Sequence, residues 1–190
     1  MLADLVEKNR SYRRFFQEPI TREMLRELVG LARLTASASN RQPLRYILIS
    51  SPETCADVFP CLSWAGFLTD WPGPEEGERP TGYIVILSDI SISPKPGIDV
   101  GIAAQTILLA AAEKGYGGCI IGSIKRQQLR KVLEIPDNHD IELVLALGKP
   151  KETVVIETVG PEGDTRYWRD ADGVHHVPKH SLEHLIIADV

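Results

Sequence analysis

Cysteine is scarce in this 190-residue chain, and aromatic residues and long apolar runs are few. The three cysteines, Cys55, Cys61 and Cys119, are an odd number without a C-x-x-C spacing. Such a pattern builds neither a disulfide framework nor a common zinc site, so we expect reduced, structural thiols. The most apolar stretch, residues 97–115, includes Asp99 and falls short of the roughly 20 apolar residues that span a bilayer. It predicts a buried helix and no membrane partner.

Neither the net charge nor the first residues predict a broad basic face or a secretory leader. The formal net charge of -5 argues against a protein that coats nucleic acid or an anionic membrane. The first ten residues lack a basic region followed by an apolar run and a cleavage site, so we expect a cytoplasmic protein. The absence of G-x-G-x-x-G, G-x-x-x-x-G-K-[ST] and G-x-S-x-G disfavours a Rossmann dinucleotide site, a P-loop and a nucleophile elbow.

Length and composition predict one globular domain over residues 1–190, since 43% of the residues are hydrophobic and 25% are charged. Hydrophobic periodicity predicts helices over residues 2–8, 22–35, 97–115 and 125–135, and strands over residues 45–50, 82–89, 116–123 and 140–148. The tail differs, because an Asp172-Gly173 pair between alternating runs predicts a hairpin. A short helix or extended arm follows it, so hairpin and arm together occupy about 152–190.

The helix predicted over residues 97–115 is apolar or small on nearly every face. One sheet packed against it would leave the opposite face in water. A second copy of the chain would cover that face, so the sequence predicts a homodimer.

A segment rich in helix and strand breakers lies between the first two predicted strands. Residues 70–82 contain three prolines and three glycines, which predicts a surface loop with the composition of a candidate lid. Trp64, Trp71 and Tyr83 flank the loop. They would either stack on a flat substrate or pack the loop against the core, and the sequence favours neither interpretation.

Four cationic side chains crowd into residues 8–15, "KNRSYRRF", although the chain as a whole is acidic. Arg10 and Arg13 offer charged, forked donors and Ser11 offers a neutral hydroxyl, a combination that suits a phosphate monoester. Solvated cations that pair with nearby carboxylates are the alternative interpretation. The candidate carboxylates are Glu7, Glu18 and Glu23.

The order of several motifs resembles the nitroreductase family of flavin enzymes. Residues 10–49, "RSYRRFFQEPITREMLRELVGLARLTASASNRQPLRYILI", are similar to its R-S-x-R-x-F element, P-I pair, amphipathic helix and A-P-S-x-x-N-x-Q-P loop. Residues 101–123, "GIAAQTILLAAAEKGYGGCIIGS", resemble its central helix and glycine-rich strand end, and residues 143–150, "LVLALGKP", the strand after it. The matching pieces occur in the family order along nearly the whole chain.

The resemblance implies an α+β fold with a central, mainly antiparallel sheet flanked by helices. It also implies an obligate homodimer with the long buried helix at its interface, one FMN in each of two interface sites, and NAD(P)H as electron donor. By similarity, Arg10, Ser11, Arg13 and Lys179 would hold the ribityl phosphate. The loop reaching the flavin from the partner subunit would comprise Ser37, Ala38, Ser39, Asn40 and Gln42. Ile121, Gly122 and Ser123 would face the N5 edge of the ring.

The reaction implied is hydride transfer from NAD(P)H to a nitroaromatic, quinone or similar flat acceptor. The cofactor supplies the chemistry and the chain supplies positioning, so no catalytic side chain is assigned. Two alternatives stay open. One is a different flavin reaction on the same fold, such as reductive dehalogenation, flavin fragmentation or ring dehydrogenation; the other is a flavin-free, non-enzymatic dimeric module.

The chain departs from the family pattern at three positions. Asn9 stands where a second arginine is common, Ala36 replaces the proline of A-P-S, and Leu44 replaces the aromatic after Q-P. Asn9 weakens the expected phosphate cradle by one charge.

Three histidines near the end of the chain share a spacing of four residues. A helical row of histidines can bind zinc, but Pro178 interrupts any helix between His176 and His180. Only His180 and His184 would then share a face, so we expect solvent-exposed histidines and no metal site.

Overall fold

The computed structural model describes residues 1–93 and 95–189; Val190, the last residue of the predicted arm, lies outside them. The helices are α1 (Leu2–Lys8), α2 (Arg22–Ala32), α3 (Pro52–Val58), α4 (Gly97–Glu113), α5 (Arg126–Val132) and α6 (Leu182–Leu185). The strands are β1 (Phe15–Phe16), β2 (Leu44–Ile49), β3 (Gly82–Asp89), β4 (Gly117–Ile121), β5 (His139–Pro150), β6 (Val154–Thr158), β7 (Trp168–Arg169) and β8 (His175–Lys179).

The main sheet is antiparallel throughout and is organised around β5. On one side, β5 pairs with β3, and β3 pairs with the edge strand β2. On its other side, β5 pairs first with β4 and then, nearer its own end, with β1. The predicted α+β fold with a mainly antiparallel central sheet is therefore confirmed.

Both faces of this sheet are covered by helices. Ile84 and Ile86 of β3 belong to a core cluster that includes α2 and α4, whereas Tyr83 and Val85 belong to a second cluster with α3 and α5. Alternate residues of a strand point to opposite faces, which explains why "GYIVILSD" is apolar at nearly every position.

Helix ends explain most boundary differences from the sequence prediction. Thr21 caps α2 as predicted, since its side chain accepts a hydrogen bond from the Met24 amide at 3.1 Å. Gly115, with φ of +72°, lies two residues after the end of α4, and Glu134, with φ of +51°, lies two residues after the end of α5. Left-handed residues cannot continue a right-handed helix, so both helices are shorter than their apolar patterns.

One face of α4 is exposed in the single chain. Ile98 is 76% exposed, and Gly101 and Gln105 are also exposed. No helix within residues 1–93 and 95–189 is long and apolar enough to cross a membrane.

A second, smaller sheet is formed near the end of the chain. β8 pairs with β7 in the hairpin predicted around Asp172-Gly173, and Gly173 has the positive φ, +80°, that such a turn requires. The parallel pairing of β6 with β8 was not predicted. β6 is short and half exposed, so its sequence carries little periodic signal.

The aromatic residues around the 70–82 loop pack it against the core. Trp64 is 8% exposed and Tyr83 is fully buried. Trp71 packs at the edge of the same cluster, with the Arg169 guanidinium 4.6 Å from its ring centroid. Of the two interpretations of these residues, the structure supports packing.

Candidate functional site

The cationic segment runs beside β4. Ser11 forms an isolated parallel bridge with Gly118, and the Tyr12 amide donates to the Gly118 carbonyl at 3.1 Å. A Cβ atom on Gly117 would lie only 2.5 Å from Tyr12 Cδ2. The glycine pair therefore lets residues 11–12 lie directly against the strand.

Arg14 is a structural cation. Its guanidinium donates to both carboxylate oxygens of Glu78, at 2.5 and 2.8 Å, and Lys151 Nζ lies 2.9 Å from the same carboxylate. Hydrogen bonding from Arg14 lowers the pKa of Glu78 to about 2. The positive charge of Arg14 is therefore already neutralised within the chain.

Arg13 is also held firmly, but by neutral groups. Nη1 lies 3.2 Å from His175 Nε2 and 3.2 Å from the Ser11 carbonyl oxygen. The guanidinium carbon lies 5.0 Å from the Tyr167 ring centroid. Within the part of the chain that the structure describes, no carboxylate lies within 4.0 Å of this guanidinium. Its charge is left available for a ligand anion.

A buried carboxylate fixes the backbone at the same position. Glu152 accepts a hydrogen bond from the Arg13 amide and another, at 2.9 Å, from Arg169 Nη2. Its side chain has no solvent exposure. Glu152 thus joins the cationic segment to the C-terminal hairpin without touching the Arg13 guanidinium.

Arg10 has an unsatisfied donor. Its Nη2 donates to the Val6 carbonyl at 2.5 Å, whereas its Nε is buried with no partner among the described residues. The predicted alternative, ion pairs with Glu7, Glu18 or Glu23, is not formed by Arg10 or Arg13 in residues 1–93 and 95–189. An orphaned guanidinium donor is costly unless a ligand or water satisfies it.

His175 is fully buried beside Arg13. Burial, followed by the charges of Arg13, Arg169 and His176, lowers its pKa to about 4. Arginine can only donate, so the 3.2 Å contact requires a lone pair on Nε2 and the proton on Nδ1. Nδ1 is buried and has no partner among the described residues.

Lys179 stands apart from these groups. It is exposed on β8 opposite Thr158. It shares a face of the strand with His175, four residues away, which places the two Cα atoms about 13 Å apart. The structure thus puts Lys179 on the same side as Arg13 but outside direct contact.

The 37–42 loop is tied to the start of α4 by one buried carboxylate. Asp99 is 4% exposed. Its Oδ2 accepts from the Ser37 hydroxyl at 2.6 Å and its Oδ1 from the Ala38 amide at 2.9 Å. Ser37 Oγ in turn accepts from the Gln42 amide at 2.9 Å. Both ends of the loop are therefore fixed through Asp99.

This anchoring supports an unusual backbone. Ser39, Asn40 and Gln42 have positive φ angles of 51°, 52° and 51°. Left-handed backbone costs roughly 1–2 kcal/mol at a residue with a side chain. The Gln42 side-chain amide also donates to Asn40 Oδ1 at 3.0 Å, so the exposed loop has a defined shape.

The glycine-rich strand end lies at the opposite edge of the sheet. Ile121 is buried, whereas Gly122 and Ser123 are exposed, and the Ser123 carbonyl accepts from the Ser63 amide at 3.0 Å. Three strand spacings, about 14 Å, separate β4 from β2. The strand registers place Ile121 at the same height in the sheet as Ile47. Gln42 precedes Ile47 by five residues, so it lies about 16 Å beyond Ile121 along the strand direction. A single chain therefore does not bring the loop to residues 121–123.

Three residues of the site were not found from the sequence: Glu152, His175 and Asp99. Only Asp99 left a signal, as a carboxylate inside the most apolar stretch. Glu152 and His175 contact Arg13 across 139 and 162 residues, and no local pattern marks such pairs.

The fold and the site together define an α+β protein with a candidate anion-binding end, residues 10–13, beside the edge strand β4 and an open glycine-rich strand end. Residues 6–67 and 84–149 match the model described as "Nitroreductase family". The chain belongs to the nitroreductase family.

Individual relatives are distant but span most of the chain. An Archaeoglobus fulgidus protein that carries an NADH dehydrogenase/NAD(P)H nitroreductase name is 27% identical over 156 residues, or 78% of this chain and 84% of the relative. An iodotyrosine deiodinase from Thermotoga neapolitana is 24% identical over 169 residues, or 80% and 90%. The structure of an FMN-dependent nitroreductase from Clostridium difficile R20291 superimposes with a TM-score of 0.66 at 23% identity, covering 78% of this chain and 87% of that one.

Proposed function

We propose that this protein is an FMN-dependent oxidoreductase that takes hydride from NAD(P)H and reduces a nitroaromatic, a quinone or a similar flat acceptor. In this proposal, residues 1–190 form one cytoplasmic unit that works as a homodimer. The observation that carries the proposal is the Arg13 guanidinium, which is held by His175, Ser11 and Tyr167 but paired with no carboxylate in the described residues. Family membership supports the proposal that the anion bound there is the phosphate of FMN.

The residues at the cationic end fit a phosphate monoester. Arg13 offers uncompensated charge, Arg10 offers a buried donor without a partner, and Ser11 has an exposed hydroxyl. A phosphate has several acceptor oxygens and binds arginine through charge-assisted hydrogen bonds. Lys179 lies on the same side and would reach the phosphate only by extending its side chain along β8.

The ring would lie toward the open end of β4. The cationic segment contacts Gly118, and Gly122 follows four residues later on the same edge of the sheet. One elongated ligand with an anionic tail could therefore span both features. A Cβ on Gly122 would meet no atom closer than Leu143 Cδ2 at 3.8 Å, so the strand end is accessible to a flat ring.

The 37–42 loop would complete the ring site from the second subunit. Within one chain it lies too far from residues 121–123, and the exposed face of α4 leaves room for a partner. The loop's small residues and fixed backbone suit close packing on a flat ring.

The bound flavin would accept and donate hydride, and the chain would supply position and water exclusion. Arg10, Ser11 and Arg13 would fix the tail, and the strand end and the partner's loop would fix the ring. Positioning of this kind lowers the barrier without a catalytic side chain.

Reductive dehalogenation is the second candidate. It is supported by similarity to the iodotyrosine deiodinase, which covers 80% of this chain. Both reactions would require the same flavin; they would differ in the acceptor and, in this proposal, in how rapidly NAD(P)H reduces the flavin.

An absorption spectrum before and after anaerobic addition of NADPH tests the proposal. We expect yellow protein, or protein that becomes yellow when loaded with FMN, and rapid bleaching by NADPH or NADH. Slow or absent bleaching would favour the second candidate. Protein that cannot be loaded with FMN would contradict both.

A further inference from the structure

We propose that His175 is a positioning residue for the anion-binding end: its Nε2 lone pair orients the Arg13 guanidinium toward the flavin phosphate. The inference rests on the proposed function, and it assigns a role to the C-terminal hairpin. His175 does not contact the anion itself. It acts through Arg13.

The geometry leaves Arg13 few alternatives. Arginine has five N–H donors in a rigid plane, so fixing one of them fixes the direction of the others. His175 and the Ser11 carbonyl both lie 3.2 Å from Nη1, and Tyr167 lies against the guanidinium with its centroid 5.0 Å away. With Nη1 occupied, the remaining donors of the plane are left for a ligand.

The charges around His175 favour its role as an acceptor. Desolvation opposes a positive charge on the ring most strongly, and the charges of Arg13, Arg169 and His176 oppose it further. Glu152 does not offset this, because its carboxylate is occupied by the Arg13 amide and Arg169. A neutral imidazole accepts a hydrogen bond from Arg13 without neutralising its charge. A carboxylate at this position would consume the charge that the phosphate needs.

The hairpin itself is held in place by other contacts. The Tyr167 hydroxyl accepts from the Phe67 amide at 3.2 Å, and its ring lies 5.2 Å from that of His175. Arg169 is bonded to Glu152 and stacked on Trp71. The hairpin that carries the imidazole is therefore held by contacts other than the Arg13–His175 hydrogen bond, as the support of a positioning group must be.

Three substitutions at one position test the role. His175→Gln places an amide oxygen near the position of Nε2, His175→Asn places it near Nδ1, and His175→Leu removes the acceptor. The dissociation constants of FMN and riboflavin are measured by flavin fluorescence on protein freed of bound cofactor. Riboflavin lacks the phosphate, so it reports on the ring site alone.

We expect Leu and Asn to weaken FMN binding about tenfold and to leave riboflavin binding nearly unchanged, because one hydrogen bond to Arg13 is lost. Gln should restore FMN binding. In an Arg13→Ala background, His175→Leu should have no further effect. Equal losses of FMN and riboflavin affinity, or no loss of either, would overturn the inference.

A measurement on the unsubstituted protein guards against variants that fail to fold. Imidazole nitrogen chemical shifts should show His175 protonated on Nδ1, bare on Nε2 and still neutral at pH 6. The opposite tautomer, or a charged ring at pH 6, would refute the inference whether or not flavin binds. Failure to bind FMN with the expected tautomer in place would instead contradict the proposed function.

Discussion

The two ends of the candidate site are built in different ways. At the anion end, one chain gathers residues 10–13, Glu152 and His175 from opposite ends of its sequence. At the ring end, the same chain supplies an exposed strand end and, about 20 Å away, an exposed loop fixed by Asp99. Under the proposed function, the phosphate tail would be bound by one chain, whereas the flavin ring would need residues of two. Substitutions at the two ends should consequently affect FMN and riboflavin differently.

The largest effect is expected from removing both unpaired arginines. Arg10→Ala with Arg13→Ala should raise the dissociation constant of FMN by about 10²–10⁴, since each charge-assisted bond contributes about 1.5–3 kcal/mol. Riboflavin binding should change little. Isothermal titration calorimetry with both ligands would measure the difference.

Arg14→Ala is the matched control for that experiment. Its guanidinium is already paired with Glu78, so FMN affinity should stay within about threefold of the original. A loss as large as that of the double variant would mean that total charge, and not the unpaired guanidinium, binds the phosphate.

The ring end is tested by Asp99→Asn. The amide keeps the shape of the carboxylate but can accept from only one of its two partners, Ser37 and Ala38, through its oxygen. We expect a loss of about 2 kcal/mol in the stability of the loop and equal weakening of FMN and riboflavin binding. Selective weakening of FMN alone would contradict the division between the ends. Ser37→Ala should give a smaller loss of the same kind.

Acid should destabilise the fold through the buried His175. Burial lowers the folded-state pKa of His175 to about 4 from an ordinary value of 6.5. Between these values the unfolded chain binds one more proton than the folded chain, so unfolding free energy falls as pH falls, by up to about 1.4 kcal/mol per pH unit. Urea unfolding from pH 7 to pH 4 would measure the slope, and His175→Gln should flatten it.

The contribution of the neighbouring His176 to stability depends on pH in the opposite sense. Hydrogen bonds to Asp170 and Glu157 raise the pKa of His176, so its contribution is complete below pH 6.5 and is lost as pH rises through the folded-state value. His176→Gln should therefore change the slope between pH 6.5 and pH 4 only slightly, because His176 is the smallest of the charges that lower the pKa of His175. A slope that persists in His175→Gln and vanishes in His176→Gln would show that this assignment is reversed.

The smallest effect is expected from replacing Glu78, the carboxylate that pairs with Arg14. Glu78→Gln should lower the free energy of unfolding by about 1 kcal/mol near pH 7 and leave both flavin affinities unchanged. The difference from the original protein should shrink as pH falls from 4.5 toward 2, because protonation of Glu78 then removes the same ion pairs. A selective loss of FMN affinity would place Glu78 in the anion end after all.

Local patterns in the sequence account for the main sheet and for the cations. The apolar run over residues 82–89 predicted β3 with its observed bounds, and Thr21 as N-cap predicted the start of α2. The two-residue strand β1 and the half-exposed β6 were missed, since both depend on distant pairing partners for their structure.

The candidate site, too, was predictable from local patterns only in part. The crowding of like charges in residues 8–15 was visible without a structure, but not which cation would be neutralised. Arg13 and Arg14 are adjacent, and their difference depends on Glu78 and His175, which lie 64 and 162 residues away. Long-range contacts of this kind are set by the topology of the sheets and leave no periodic signal.

The pairing of residue 13 with residue 175 also sets an order of events during biosynthesis. The ribosome adds the histidine 162 residues after the arginine. Domains form as their segments emerge, so the proposed phosphate site could be completed only after the hairpin has been made and has left the ribosome. Under the proposed function, a chain that stalls before the hairpin would be unable to retain its cofactor.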